Sequence, residues 1–118
     1  MNFDQWRAYL RGRFLERLKR DDEAMQAYHE ALRANPRFAK AARCLGYLHA
    51  NKKQHRDAED YFLLALRLAP DADTWYNLGF IRDQEGRREQ AENFLNTLLG
   101  RNPGPVDRTK ALDDQKLA

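Results

Sequence analysis

The chain has 118 residues, 33% of them charged, and a mean hydropathy of −0.91, which allows one domain and calls for an unusually large solvated surface. Thirteen aromatic residues (six Phe, five Tyr, two Trp) speak against disorder. The longest apolar run, Tyr61 to Leu66, is six residues long, far short of the roughly 20 that span a bilayer.

Taken in chain order, Met1 to Trp6 has neither the basic start nor the continuous apolar stretch of a secretory leader, so the expected compartment is the cytoplasm. Cys44 is the only cysteine, which excludes an intramolecular disulfide and a cysteine-based metal cluster and suits a reducing location. The net charge of +3, with pI near 9.2, is too small an excess to mark a nucleic-acid binder by itself.

One offset aligns most of the chain with itself. Gly12, Gly46 and Gly79 are 34 and 33 residues apart, and Ala24, Ala58, Ala91 and Pro36, Pro70, Pro103 keep both spacings. Further columns are apolar throughout: Phe14, Leu48, Ile81; Tyr28, Phe62, Leu95; Ala31, Ala65, Leu98; and Leu32, Leu66, Leu99. Apolar positions recur at three and four residues, the period of an amphipathic helix, so each repeat reads as two helices. The expected breaks are Lys19-Arg20-Asp21-Asp22, Lys53-Gln54-His55-Arg56-Asp57 and Gln84-Glu85-Gly86-Arg87. Each closing proline ends the second helix by excluding helical geometry at the residue before it. Gly12, Gly46 and Gly79 remove the side chain where the paired helix crosses, and the alanine column permits equally close approach.

This pattern resembles the tetratricopeptide repeat, a 34-residue helix-turn-helix unit. Trp75, Leu78, Gly79, Gly86, Ala91 and Pro103 carry the likeness in the third repeat. Leu45, Gly46, Ala58, Phe62, Ala65 and Pro70 carry it in the second, and Gly12, Ala24, Tyr28, Ala31 and Pro36 in the first, where Arg11 replaces the expected leucine. The resemblance implies an all-α solenoid, a right-handed superhelix of three helix-turn-helix units. Its expected bounds are 1–104, with repeats at about 5–38, 39–71 and 72–104. Arg11 suits a terminal cap whose outer surface meets water. The tail, 105–118, reads either as a capping helix started by Pro105 with Val106, Ala111, Leu112 and Leu117 on one stripe, or as frayed chain that leaves Phe94, Leu95, Leu98 and Leu99 partly exposed.

No catalytic constellation is present. No phosphate-loop pattern occurs, and His29, His49 and His55 lack metal-ligand spacing, so the chain reads as a non-enzyme with no cofactor and no metal. The histidines read as surface residues, with His49 packing on a neighbouring helix. Cys44 reads as a small residue at a helix interface or as a reactive thiol beside Arg43. The roughly 100° between consecutive helical residues favours the first.

In tetratricopeptide proteins the first helices of successive repeats line a concave groove that receives a peptide or partner helix, and helical spacing around the glycine column then selects the lining. The candidate groove residues are Tyr9, Arg13, Arg17, Lys40, Arg43, Tyr47, Asp73, Tyr76, Asn77, Phe80 and Asp83, with Trp6, Glu16, Ala50, Asn51 and Gln84 extending the face. Aromatic residues and arginine of this kind dominate binding hot spots. Bases on repeats one and two face Asp73 and Asp83 on repeat three, which suits a protein or peptide partner with an acidic segment and apolar anchors. A second reading has Trp6 and some tyrosines completing the inter-helix core while the charges merely solvate it. The family's two-carboxylate clamp for chaperone tails is missing: its positions hold Tyr9, Arg13, Cys44, Asp73 and Asn77. The leading expectation is a peptide- or protein-binding adaptor. The alternatives are a small secretion-type chaperone or a scaffold that self-associates through repeat three, and, more weakly, nucleic-acid binding, which Asp73 and Asp83 oppose.

Overall fold

The computed structural model describes residues 3–100; the expected tail helix and Pro103 lie outside them. The described residues form five α-helices and no strand: α1 (Asp4–Arg17), α2 (Asp21–Ala34), α3 (Ala39–Asn51), α4 (His55–Leu68) and α5 (Ala72–Leu98). None is long and apolar enough to cross a membrane. The chain divides into two compact units between Glu85 and Gly86, inside α5.

In the first unit the two expected helical hairpins form, and their reversals share one geometry. α1 ends with Lys19 at φ 61°, where the Lys19 amide donates to the Glu16 carbonyl (2.9 Å) and the Arg20 amide to the Leu15 carbonyl (3.0 Å). α3 ends identically, with Lys53 at φ 62°, Lys53 donating to Ala50 (3.0 Å) and Gln54 to His49 (2.9 Å). This is the Schellman arrangement, with lysine in the left-handed position that glycine usually takes. α2 and α4 stop where their prolines require. Asn35 (φ −145°, ψ 99°) and Ala69 (φ −154°, ψ 103°) are extended, as residues before proline must be.

The glycine column is where the hairpins close. A Cβ on Gly12 would stand 2.6 Å from the Tyr28 ring, and one on Gly46 would stand 2.6 Å from the Phe62 ring, so neither helix pair tolerates a methyl group there. Around these contacts Ala24, Tyr28, Cys44, Leu45 and Leu48 form one buried cluster, and Ala58, Phe62, Leu66, Leu78 and Ile81 another. His49 stacks on Tyr61 with ring centroids 5.2 Å apart, the neighbouring-helix packing its position suggested.

Two columns depart from expectation. Phe14 is 62% exposed although Leu48 and Ile81 in its column are buried: among the described residues no helix covers that side of α1. The turn expected at Gln84-Glu85-Gly86-Arg87 is absent: α5 runs through it as one helix of 27 residues. The sequence there explains the difference locally. From Gln84 to Gln90 every residue but Gly86 is a good helix former, and Arg88 pairs with Glu92 one turn on at 2.8 Å. In the second unit Ala91, Phe94, Leu95, Leu98 and Leu99 are exposed.

Candidate peptide-binding groove

The candidate face lies in the first unit and is built by α1, α3 and the first turns of α5. α1 contributes Tyr9, which sits partly buried in an aromatic cluster: its ring centroid is 5.4 Å from Phe38, 6.0 Å from Tyr28 and 6.0 Å from Trp6, and Trp6 lies 5.0 Å from Phe38. Trp6 and Tyr9 therefore belong mainly to the junction between repeats one and two, as the second reading of these residues proposed. Burial raises the Tyr9 phenol above its usual value, so it stays neutral at physiological pH.

Arg13 and Arg17 are exposed, and with Phe14, Glu16 and Lys19 they line a depression of about 460 Å³ near the end of α1. Phe14 was not among the expected groove residues, because its column is a core column elsewhere in the chain. Its exposure places an apolar side chain next to three cations and one carboxylate. Glu16 also accepts a hydrogen bond from the Tyr28 hydroxyl, which fixes the carboxylate at the wall of the depression.

Cys44 lies behind this surface and is buried. Burial, reinforced by the Glu16 charge, pushes its thiol above the usual value against the opposing pull of the Tyr28 hydroxyl and Arg13. A buried, protonated thiol is a packing residue rather than a nucleophile.

α3 contributes Lys40, Arg43 and Tyr47. Lys40 is exposed. Arg43 is half-buried: its Nε donates to Thr74 Oγ1 at 3.0 Å and lies 3.2 Å from Asp71 Oδ2. Thr74 is fully buried and donates in turn to Asp71 Oδ2 at 3.3 Å. Arg43 is thus an anchor for the start of α5, and its charge is balanced within the fold. Asp71 and Thr74 were missed as its partners because they stand 28 and 31 residues away, a relation that no local pattern carries. Tyr47 is 38% exposed, stands edge-on to Phe62 at 5.4 Å, and accepts a hydrogen bond from Asn77 Nδ2 at 2.7 Å.

On α5, Asp73 is exposed in the first turn, its amide held by Asp71 Oδ1 at 3.0 Å, and Asp83 is exposed farther along. Tyr76 and Phe80 are 75% and 55% exposed. The structure therefore joins α1 to α3 through Tyr9, which packs against the cluster of Cys44, Leu45 and Leu48, and α3 to α5 through Arg43–Thr74 and Tyr47–Asn77. First helices side by side in this way, each carrying the same face, define the repeat. Residues 8–38, 45–71 and 72–105 all match the tetratricopeptide repeat. The chain belongs to the tetratricopeptide repeat family.

Tetratricopeptide repeats generally act as protein–protein interaction modules and are typically non-catalytic. No curated protein matches the sequence. Among the described residues no three His, Cys, Asp or Glu side chains converge as metal ligands would.

Proposed function

We propose that this tetratricopeptide chain is a non-catalytic adaptor that binds an extended acidic segment with apolar or aromatic anchors along the α1–α3–α5 face. The observation that carries the reading is the pairing of exposed cations with exposed rings. Arg13, Arg17 and Lys19 surround Phe14 at one end, and Tyr47, Tyr76 and Phe80 continue the face toward α5. Exposed rings are the groups most able to contribute binding energy, and fixed cations orient an acidic chain over them. Asp73 and Asp83 set the polarity of the ligand by disfavouring its acidic end near α5. Arg43 is left out of the recognition set because Asp71 and Thr74 hold it. A single thiol kept buried suits work in the reducing cytoplasm.

The test is fluorescence anisotropy with synthetic peptides that place two or three carboxylates next to a Phe or Trp, compared with the same peptides carrying lysines. Binding of the acidic series alone, lost in Arg13→Glu/Arg17→Glu while the helical circular dichroism and melting are retained, is the expected result. Equal binding of both series, or binding that survives the double charge reversal, removes the groove assignment.

A further inference from the structure

α1 carries an apolar stripe on the face that its counterpart α3 buries. On α3 that face is Ala41, Cys44, Leu45 and Leu48, all packed onto α1 and α2. The same columns of α1 hold Arg7, Leu10, Arg11 and Phe14, and Leu10 and Phe14 are 61% and 62% exposed. Two hollows open beside the stripe, in the seam between α1 and α2. The larger, about 480 Å³, has Leu15, Gln26 and Ala27 in its wall; the smaller, about 240 Å³, has Ala8 and Ala34. Arg11 and Glu30 line both hollows and form an ion pair between them.

Knob and hollow on this face are matched in size. Where repeat two has Leu48 and a large Tyr61, the same columns of repeat one hold a larger Phe14 and a small Ala27, so one face has both a projecting ring and room for one. Its charges are matched as well. Arg7 and Arg11 make the α1 edge basic, Glu23 and Glu30 make the α2 edge acidic, and Asp4 and Arg20 bring the sum to zero. A uniformly acidic or basic partner gains nothing over such a face. A second copy, turned about a two-fold axis parallel to the helices, lays α1 on the partner's α2 and sets bases opposite acids on both sides.

We propose that the α1–α2 seam is a self-recognition surface through which two copies of this chain pair. Arg11 and Glu30 stand at one height, so the axis beside them builds a ring of four alternating charges from the two copies. Phe14, one turn beyond Arg11, enters the partner's larger hollow, and Leu10 turns toward the smaller one. Each contact is made twice, as an isologous interface requires. The pairing uses only α1 and α2, inside the first compact unit. Phe14 borders both this seam and the groove depression; in the pair its ring goes to the seam, and Arg13, Arg17 and Lys19 stay at the groove. The pairing therefore goes beyond the groove reading and does not rest on it.

Light scattering coupled to size exclusion, run on the full chain, is expected to give a mass twice 13.9 kDa, falling to one chain in Phe14→Asp with the helical circular dichroism retained. Arg13→Glu/Arg17→Glu should leave the doubled mass unchanged. Arg11→Glu and Glu30→Arg each gather four like charges at the axis, so each variant alone should run as one chain. Mixed in equal amounts they should give the doubled mass, because the acidic variant then faces the basic one. Three results would overturn the proposal: a wild-type mass of one chain at every concentration, as cover of the seam by residues 101–118 of the same chain would give; a doubled mass that survives Phe14→Asp; or a mixture that stays single while the wild type doubles.

Discussion

The α3–α4 hairpin and α5 come from the same template, and the contrast between them separates two things that a repeat must specify. The columns specify which side chains correspond: Gly46 and Phe62 in repeat two, Gly79 and Leu95 in repeat three. The residues between them specify whether the helix is interrupted. In repeat two the reversal holds a lysine at φ 62°, at a cost of roughly 1–2 kcal/mol for a non-glycine residue, offset by burying Phe62, worth roughly 1.5–3 kcal/mol, with its neighbours. In repeat three the turn is intrinsically easier, since Gly86 stands at that position, but the flanking residues are helix formers. Where α2 opens on Asp21, Asp22 and Glu23, which favour a helix start, the corresponding positions are Arg88, Glu89 and Gln90. A straight helix through Gly86 costs about 1 kcal/mol relative to alanine, a small penalty beside the apolar area that Leu95, Leu98 and Leu99 leave in water.

Truncating the two equivalent covers tests this contrast most strongly. Phe62→Ala should lower unfolding free energy by about 3–5 kcal/mol in urea titrations, because it empties the centre of a buried cluster, whereas Leu95→Ala, at an exposed position of α5, should stay within about 0.5 kcal/mol. A comparable loss at both positions would mean that Leu95 is buried. Adding a methyl group reverses the sign between repeats. Gly46→Ala drives a Cβ into Phe62 and should cost about 1–3 kcal/mol, while Gly79→Ala, with no described atom within 4 Å of the added Cβ, should gain up to about 1 kcal/mol from helix propensity.

Smaller effects sharpen how the α3–α4 hairpin is joined to α5. Arg43→Met leaves buried Thr74 with one partner fewer and Asp71 without its guanidinium, and should cost about 1–2 kcal/mol by thermal melting while changing peptide affinity little. A large affinity loss with unchanged melting would return Arg43 to the groove. The smallest effect is a pH slope. Burial first, then His49 and Arg33, hold the His29 imidazole below the usual histidine value near 6.5. The folded state thus binds fewer protons than the unfolded chain between those two values. Stability is full above the unfolded value and declines as pH falls through it toward the folded one. Melting temperatures compared at about pH 7.5 and about pH 5.5 should show a modest drop that His29→Gln reduces.

Much of this was legible in the residues. The columns located α1 to α4, the buried alanines, the close glycines and both proline-terminated helix ends, because each depends on spacing within one repeat. The functional face was only partly legible. Helical periodicity identified the side of α1, α3 and α5, but it could not separate Arg43, held by Asp71 and Thr74, from Arg13 and Arg17, which are exposed. Nor could it show that Phe14, core by column, lies open on the side of α1 that no described helix covers. These distinctions depend on neighbours far along the chain.

By itself the sequence determined an all-α tetratricopeptide chain, its repeat register, and which side chains each repeat intends to pair, since helical period and small-residue spacing are local and recur. Only the tertiary structure decided which of those pairings are made. Two repeats close because a lysine turn and an aromatic ring over glycine reinforce each other. The third runs on as an unbroken helix because hydrogen bonds through Gly86 form locally and the residues that flank it are good helix formers.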